Sequence, residues 1–407
     1  MLSWVNRFNI CCFLDNHQYS SSHQSVECLA AAGSVSIFSP RENIFTSLEE
    51  LYRNNKDWLF GHLAYDLKNA VAPLHSSHPD QIGFPDIFFF RPETVLQLSG
   101  NQLTISTLQE NPEQIFEEIC SMAFSPVSKS SRLAIQPRMA KEDYLQKIES
   151  IRQHIQRGDC YEINFCQEFY ATNAAIDPLS VYRQLTEISP NPFACFYKLE
   201  DKYVLCASPE RYLQKKGNRL LSQPIKGTFK RNLTDTVADE SLKQALIKSE
   251  KDRSENVMVV DLVRNDLSQV CKEGSVQVDE LFGVYSFPQV HQMISTISGE
   301  LKTDFGLAEI LQASFPMGSM TGAPKRRVME LIEQYEVTKR GIYSGAIGYI
   351  SPDNDFDFNV VIRSILYNAT AAYLCYLVGG GITFYSDAEK EYEECLLKAA
   401  AIQKVLA

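Results

Sequence analysis

The chain has 407 residues, 44% hydrophobic and 22% charged, and its 50 acidic side chains against 39 lysines and arginines leave a formal net charge of −11. That is ordinary globular composition, enough for one large domain or two to three smaller ones at roughly 100–200 residues each, and it gives no basic footprint for nucleic acid. No apolar run reaches the roughly 18 residues of a membrane span, the N-terminus lacks the apolar core of a signal peptide, and the eleven cysteines include no Cys-x-x-Cys pair. Reduced thiols in the cytoplasm are therefore expected rather than a disulfide framework or a zinc ribbon.

In chain order, residues 1–135 read as short strands and loops. Trp58–Tyr65 and Asp86–Phe90 are the clearest, the second an apolar run suited to a buried strand. The Ser-rich stretch Ser125–Arg138, with Pro126 and Pro137, is the best candidate boundary and divides the chain into 1–135 and 136–407. After it, Tyr144, Ile148, Ile151 and Ile155 fall at helical spacing, and Gly158 ends the helix. Strands are expected at Tyr161–Tyr170 and Tyr203–Ala207, then one long helix from about Asp239 to Ser268. The last third holds expected strands near Gly345–Ile350, Asn359–Tyr367 and Tyr373–Val378, and a final helix over about Glu389–Leu406. Strands and helices mix without a strict βαβ rhythm, so an α+β fold of antiparallel sheets covered by helices fits best.

Several groups on these elements have chemical potential. Lys226 sits in Pro224-Ile225-Lys226-Gly227-Thr228, where Pro fixes φ and Gly frees it. A lysine on such a shaped segment can be desolvated and made a nucleophile; a solvated lysine beside a tight turn would read the same way. Glu210 follows a strand directly. In a partly closed cleft its pKa would rise and suit it to general acid work; an ion pair with Arg211 is the alternative. Asp252 and Glu255 lie three apart on one helix, and Glu391, Glu394 and Lys398 share a face of the last. Either these are solvated charged faces, or the carboxylates bind Mg²⁺, which takes oxygen ligands and keeps several waters. The run Gly318–Lys325 can cradle an anion with backbone N–H groups at a helix start. Gly379, Gly380 and Gly381 form either a tight turn or a place of close ligand approach. Arg363, mid-strand between apolar residues, requires an anionic partner, from the protein or from a substrate.

In order and spacing, Gly158–Asn164, Ser208–Tyr212, Pro224–Thr228, Glu255–Asp266, Gly318–Lys325, Arg340–Tyr349, Arg363 and Gly379–Lys398 resemble the chorismate-binding enzymes, most closely the aminodeoxychorismate synthase branch. The likeness is strong over about residues 140–407 and weaker before them, where Phe60–Asp66 is the main echo. The resemblance implies two antiparallel sheets packed as a sandwich with helices outside. It implies Mg²⁺ held by Glu255 and Glu394, with Asp252 and Glu391 acting through water; many relatives carry Glu where Asp252 stands. It implies that chorismate carboxylates meet Arg363, Tyr343, Lys398, Thr321 and the backbone around Gly322 and Gly379–Gly381, with His291 beside the ring. Lysine in this Pro-Ile-Lys-Gly-Thr run separates 4-amination from the anthranilate synthases, and Asn164 stands near where water-adding relatives have a lysine base.

The implied reaction converts chorismate and ammonia to 4-amino-4-deoxychorismate, toward p-aminobenzoate and folate. Lys226 attacks C2, Glu210 protonates the departing 4-hydroxyl, and ammonia adds at C4 and expels the lysine. Net cationic surroundings, from Mg²⁺ and Arg363, are expected to hold the Lys226 pKa below that of a free lysine, ~10.4. No Gly-x-Cys-x-Gly elbow or later His-x-Glu is present, so ammonia is expected from a separate glutaminase subunit or from solution. No lyase domain is visible, so the product is expected to be aminodeoxychorismate. Component I of anthranilate synthase is the alternative enzyme. A non-catalytic chorismate-binding subunit is the alternative of another class, and retention of Glu210, Lys226, Glu255 and Glu394 argues against it.

Overall fold

A computed structural model of the chain describes residues 1–19, 23, 26–108, 111–122, 133–287 and 289–407. Among them the strands form two antiparallel sheets, one of eleven strands and one of ten. The first sheet runs from Gly322–Ala323 through Glu162–Thr172, Tyr373–Ile382, Ser364–Asn368, Lys202–Ser208 and Phe193–Leu199 to Ile10–Asp15, Cys28–Ala32, Thr94–Ser99 and Gln102–Thr107. The second has Ile225–Lys230 and Val290–Glu300 at one end, then Arg219–Gln223, Arg211–Lys216, Phe356–Asn359, Ala346–Ile350, Leu59–Leu63, Ile87–Arg91 and Ser36–Phe38. The α+β sandwich is thus the fold.

Period-two alternation along the strands creates the layers. Ile163, Phe165, Phe169 and Tyr376 of the first sheet pack against Tyr144 and Ile148 of helix Lys141–Gln156 and against Cys395, Ala399 and Ile402 of helix Ala388–Leu406. On the opposite face, Cys166, Tyr197, Cys206 and Leu377 meet a second core. That core contains Phe60, Phe89, Leu213 and Ile347 of the second sheet, and Val259, Val263 and Leu267 of helix Glu250–Val270. Each large apolar side chain buried here contributes about 1.5–3 kcal/mol. All eleven cysteines are free thiols, and no helix among the described residues is long and apolar enough to cross a membrane.

Strands from before residue 135 sit inside the same sheets as later ones. Ile10–Asp15 pairs with Phe193–Leu199, and Leu59–Leu63 with Ala346–Ile350. Of the stretch Ser125–Arg138, residues 125–132 lie outside the described residues; Gln136-Pro137 pairs with Tyr170 and Phe169.

Four local expectations are corrected. The first 135 residues also contain helices Ile44–Asn54 and Pro112–Ser121. The single helix expected over Asp239–Ser268 is two, Thr236–Lys248 and Glu250–Val270, divided at Ser249. Ser249 has extended backbone, and its hydroxyl caps the second helix by accepting from the Asp252 N–H at 3.3 Å. The strand expected over Asn359–Tyr367 is also two: Phe356–Asn359 belongs to the second sheet and Ser364–Asn368 to the first. The chain passes between the sheets through fully buried Val360 and Val361. A buried crossover is as apolar as a strand, which is why the periodicity did not separate them. Finally, Gly379–Gly381 is not a turn but the end of strand Tyr373–Ile382.

Candidate active site

Strand ends from both sheets and two helices bring the charged groups together. Strand Glu162–Thr172 starts beside the end of Tyr373–Ile382, with Gly381 opposite Asn164 and Gly380 opposite Phe165. Absence of side chains there makes the floor of the cleft. A Cβ on Gly381 would stand 2.5 Å from Glu162 Oε1 and 2.9 Å from Lys226 Nζ. One on Gly380 would lie 3.2 Å from Glu391 Oε2 and 3.7 Å from both Glu394 Oε1 and Lys398 Nζ. Gly381→Ala is therefore expected to displace the Lys226–Glu162 pair and cut turnover by about 100-fold, with the melting temperature little changed; near wild-type turnover would show that the pair needs no such floor.

Lys226 has a side chain only 10% exposed, and its Nζ donates to Glu162 Oε1. The protein's own groups move its pKa in the direction opposite to the one expected with Mg²⁺ and Arg363. Burial alone would lower it, but Glu162, then Glu255 and Glu210, carry it above the ordinary lysine value. The local protein field is anionic, because Glu162, which the sequence reading did not select, supplies a carboxylate in direct contact. Its alternation with Asn164 on one strand face was the available signal.

Glu210 is 3% exposed. Burial pushes its carboxyl up to about 7, against a Ser319 hydrogen bond and the Lys226 charge. Arg211 does not pair with it; that guanidinium binds Asp357 at 2.9 Å and Gln223 Oε1 at 2.6 Å. Glu210 is thus a buried carboxyl group that holds its proton more tightly than a free one.

The remaining acids lie on helices Glu250–Val270 and Ala388–Leu406. Burial raises Glu255 to about 7, with Lys226 opposing. Lys398 draws Glu394 down to about 2 against its burial. Lys251 Nζ bridges toward Glu391 Oε1 at 3.3 Å and Glu255 Oε1 at 3.8 Å. Asp252 accepts from the Ser249 hydroxyl and lies against Gly227. Among the described residues, no three His, Cys, Asp or Glu side chains gather as a metal site. The donor set nonetheless fits a hard cation: it is all carboxylate, and buried Glu255 Oε1 and Glu391 Oε2 have no hydrogen-bond partner among the described residues.

Arg363 is not mid-strand. It ends the crossover between sheets with φ at +53°, and one guanidinium nitrogen donates to the Lys398 carbonyl at 3.2 Å. No carboxylate among the described residues lies within ion-pair distance of it. Burial lowers its pKa, with Tyr343 and Glu394 opposing. A partly buried guanidinium without a counter-charge suits an anionic ligand group. Tyr343 is buried with its hydroxyl 3.7 Å from Cys166 Sγ. Lys398 Nζ donates to the Gly379 carbonyl at 2.8 Å and pairs with Glu394 at 2.6 Å. Thr321 is fully buried and donates to the Met317 carbonyl at 3.1 Å. Gly322 pairs with Ile163, next to Glu162. Asn164 donates to the Ser319 carbonyl at 3.2 Å, while its Oδ1 has no partner among the described residues.

His291 is not brought to this cluster. Its ring bonds Asp239 at 3.1 Å and Ser286 at 2.9 Å, and Asp239 also binds Arg231. It braces strand Val290–Glu300 against helix Thr236–Lys248. The neighbouring residue on that strand, Gln292, points to the other face and pairs in register with Thr228.

A cleft with an uncompensated arginine, a raised carboxylic acid and a largely buried lysine is that of an enzyme for a small anionic substrate. The chain belongs to the chorismate binding enzymes, whose family model matches residues 12–404. It is 36% identical over 350 residues to aminodeoxychorismate synthase component 1 of Escherichia coli, covering 86% of this chain and 76% of that one. It is 33% identical over 361 residues to the Bacillus subtilis protein of the same name, covering 85% and 76%. The solved anthranilate synthase component I from Streptococcus pneumoniae superposes with a TM-score of 0.81 at 25% identity, covering 95% of each chain.

Proposed function

We propose that the chain is the chorismate-aminating component of an aminodeoxychorismate synthase, forming 4-amino-4-deoxychorismate from chorismate and ammonia. The observation that carries this is Lys226, held against Glu162 over Gly381 with the Glu210 carboxyl close enough to feel its charge. Relatives named aminodeoxychorismate synthase component 1 support it over most of the chain. That name also supports a second component, which we assign as a glutaminase supplying ammonia. A cytoplasmic location agrees with the free thiols.

Arg363 anchors a substrate carboxylate. Lys226 first gives a proton to a neighbouring carboxylate. Its lone pair then forms the N–C2 bond, the two ring double bonds shift, and the C4–O bond breaks. The hydroxyl leaves as water with the Glu210 proton, because hydroxide alone is a poor leaving group. Ammonia next forms the N–C4 bond, the double bonds shift back, and Lys226 departs from C2. The covalent route divides one hard displacement into two. Mg²⁺ would be held by Glu255 and Glu394, with Asp252 and Glu391 through water, and would supply positive charge against the substrate carboxylate.

The test is incubation of the pure chain with chorismate, MgCl₂ and ammonium chloride, with the product identified by mass. The expected product is aminodeoxychorismate, at rates that rise as NH₃ replaces NH₄⁺, with EDTA abolishing turnover and glutamine giving none. Fluorescent anthranilate with released pyruvate would assign the chain to the anthranilate branch, to which one of its solved structural neighbours belongs. No turnover would leave the non-catalytic binding subunit.

A further inference from the structure

Besides Glu255 Oε1 and Glu391 Oε2, two more acceptor atoms in the cleft have no hydrogen-bond partner among the described residues: Glu162 Oε2 and Asn164 Oδ1. Their side chains are 2% and 6% exposed. Two residues apart on one strand, they share the face that looks toward the second sheet. Both border Gly381, which is opposite Asn164 in register and lies under the Glu162 carboxylate. Burying an acceptor without a donor costs about 1–3 kcal/mol, more for a charged group. Such a pair therefore suits a small ligand rich in N–H groups. The other Glu162 oxygen is already committed to Lys226 Nζ, so one carboxylate faces the nucleophile and this acceptor pair at once.

We propose that Glu162 and Asn164 form the subsite for the second substrate, ammonium, and that Glu162 shuttles its proton to Lys226. The inference rests on the aminating function proposed above. An ammonium N–H bond breaks with its electron pair kept on nitrogen, and the proton passes to Glu162. The neutral ammonia forms the N–C4 bond and remains on the product as an ammonium group. The adduct nitrogen has by then passed its surplus proton to the Glu210 carboxylate left when water departed, so the C2–N bond breaks with its pair going to a lysine nitrogen that receives the proton from Glu162. Lys226 is then a neutral amine and Glu162 a carboxylate, so the step balances without any other reactant.

The test is steady-state kinetics of the full chain with ammonium chloride, chorismate and MgCl₂. It is paired with intact-mass detection of the Lys226–chorismate adduct formed without ammonium. Glu162→Gln keeps an oxygen for Lys226 but cannot take a proton. It is expected to lower kcat/KM for ammonium by about 100-fold, and by clearly more than it lowers the rate of adduct formation, with chorismate KM within about two-fold of wild type. Asn164→Ser, which retains an acceptor of smaller reach, is expected to raise the ammonium KM with little change in the adduct, and serves if the first variant does not fold. An unchanged ammonium KM in Asn164→Ser, or an unchanged kcat/KM for ammonium in Glu162→Gln, would overturn the proposal. So would equal loss of adduct and turnover in Glu162→Gln, since Glu162 would then only position Lys226. Failure of the wild-type chain to make any aminated product would instead refute the underlying function.

Discussion

Lys226→Ala is expected to lower kcat for amination by about 100-fold or more while leaving chorismate KM within about two-fold. Chorismate affinity rests on Arg363 and the proposed cation, whereas the lysine acts only along the reaction path. Its removal also leaves Glu162 buried without a cation, and breaking a buried pair in this way costs about 3–5 kcal/mol. Lys226→Ala combined with Glu162→Gln removes that charge and should recover most of the lost melting temperature without recovering turnover. Ammonia entering the vacated space would direct any residual chemistry to C2 and give anthranilate-type product. The decisive measurement is intact-protein mass after quenching with chorismate and MgCl₂ in the absence of ammonium. An adduct on wild type that maps to Lys226 supports the role; no adduct on either protein, with the variant near wild-type rate, reduces Lys226 to a structural partner of Glu162.

Glu210→Gln is expected to cost about 10²–10⁴-fold in kcat, the range for loss of a positioned general acid. The pH profile should show the same group. Burial pushes Glu210 up to about 7, and the acid works only when protonated. Its contribution is therefore present below about 7 and lost above it. Measured at constant free NH₃, the wild-type rate should fall on the alkaline side of that value, and the variant should lack this limb. A full alkaline limb retained in Glu210→Gln would assign the proton donor elsewhere. The same shift has a stability sign: the fold binds this proton more tightly than the unfolded chain, so its stabilising contribution is lost as pH rises through about 7.

Much of the frame was legible because periodicity and punctuation coincide. The helix carrying Tyr144 and Ile148, the strand beginning at Glu162 and the terminal helix carrying Glu391 and Glu394 all lie within a few residues of expectation. What escaped was set by tertiary context. Arg363 looked like a strand residue because buried Val360 and Val361 cross between sheets instead of extending one. The anionic part of the Lys226 field was not legible because its nearest charge comes from a residue 64 positions away in sequence. His291 was placed at the ring because motif order says nothing about which strand face a residue takes, and here it faces Asp239. For Glu210, the upward pKa shift argued from a strand-end position agrees in direction with the effect of its burial.

The pairing of Ile10–Asp15 with Phe193–Leu199, and of Leu59–Leu63 with Ala346–Ile350, has a consequence for synthesis. As the polypeptide leaves the ribosome, early strands must wait for partners about 180 and more than 280 residues behind them. Neither sheet can close its middle until most of the chain has emerged. Contacts of such long sequence separation are slow to form, and open strand edges invite association with other chains meanwhile. The cleft, which needs Glu162 and Lys398 together, is among the last features completed. Destabilising changes in the early strands should therefore appear first as lost soluble yield.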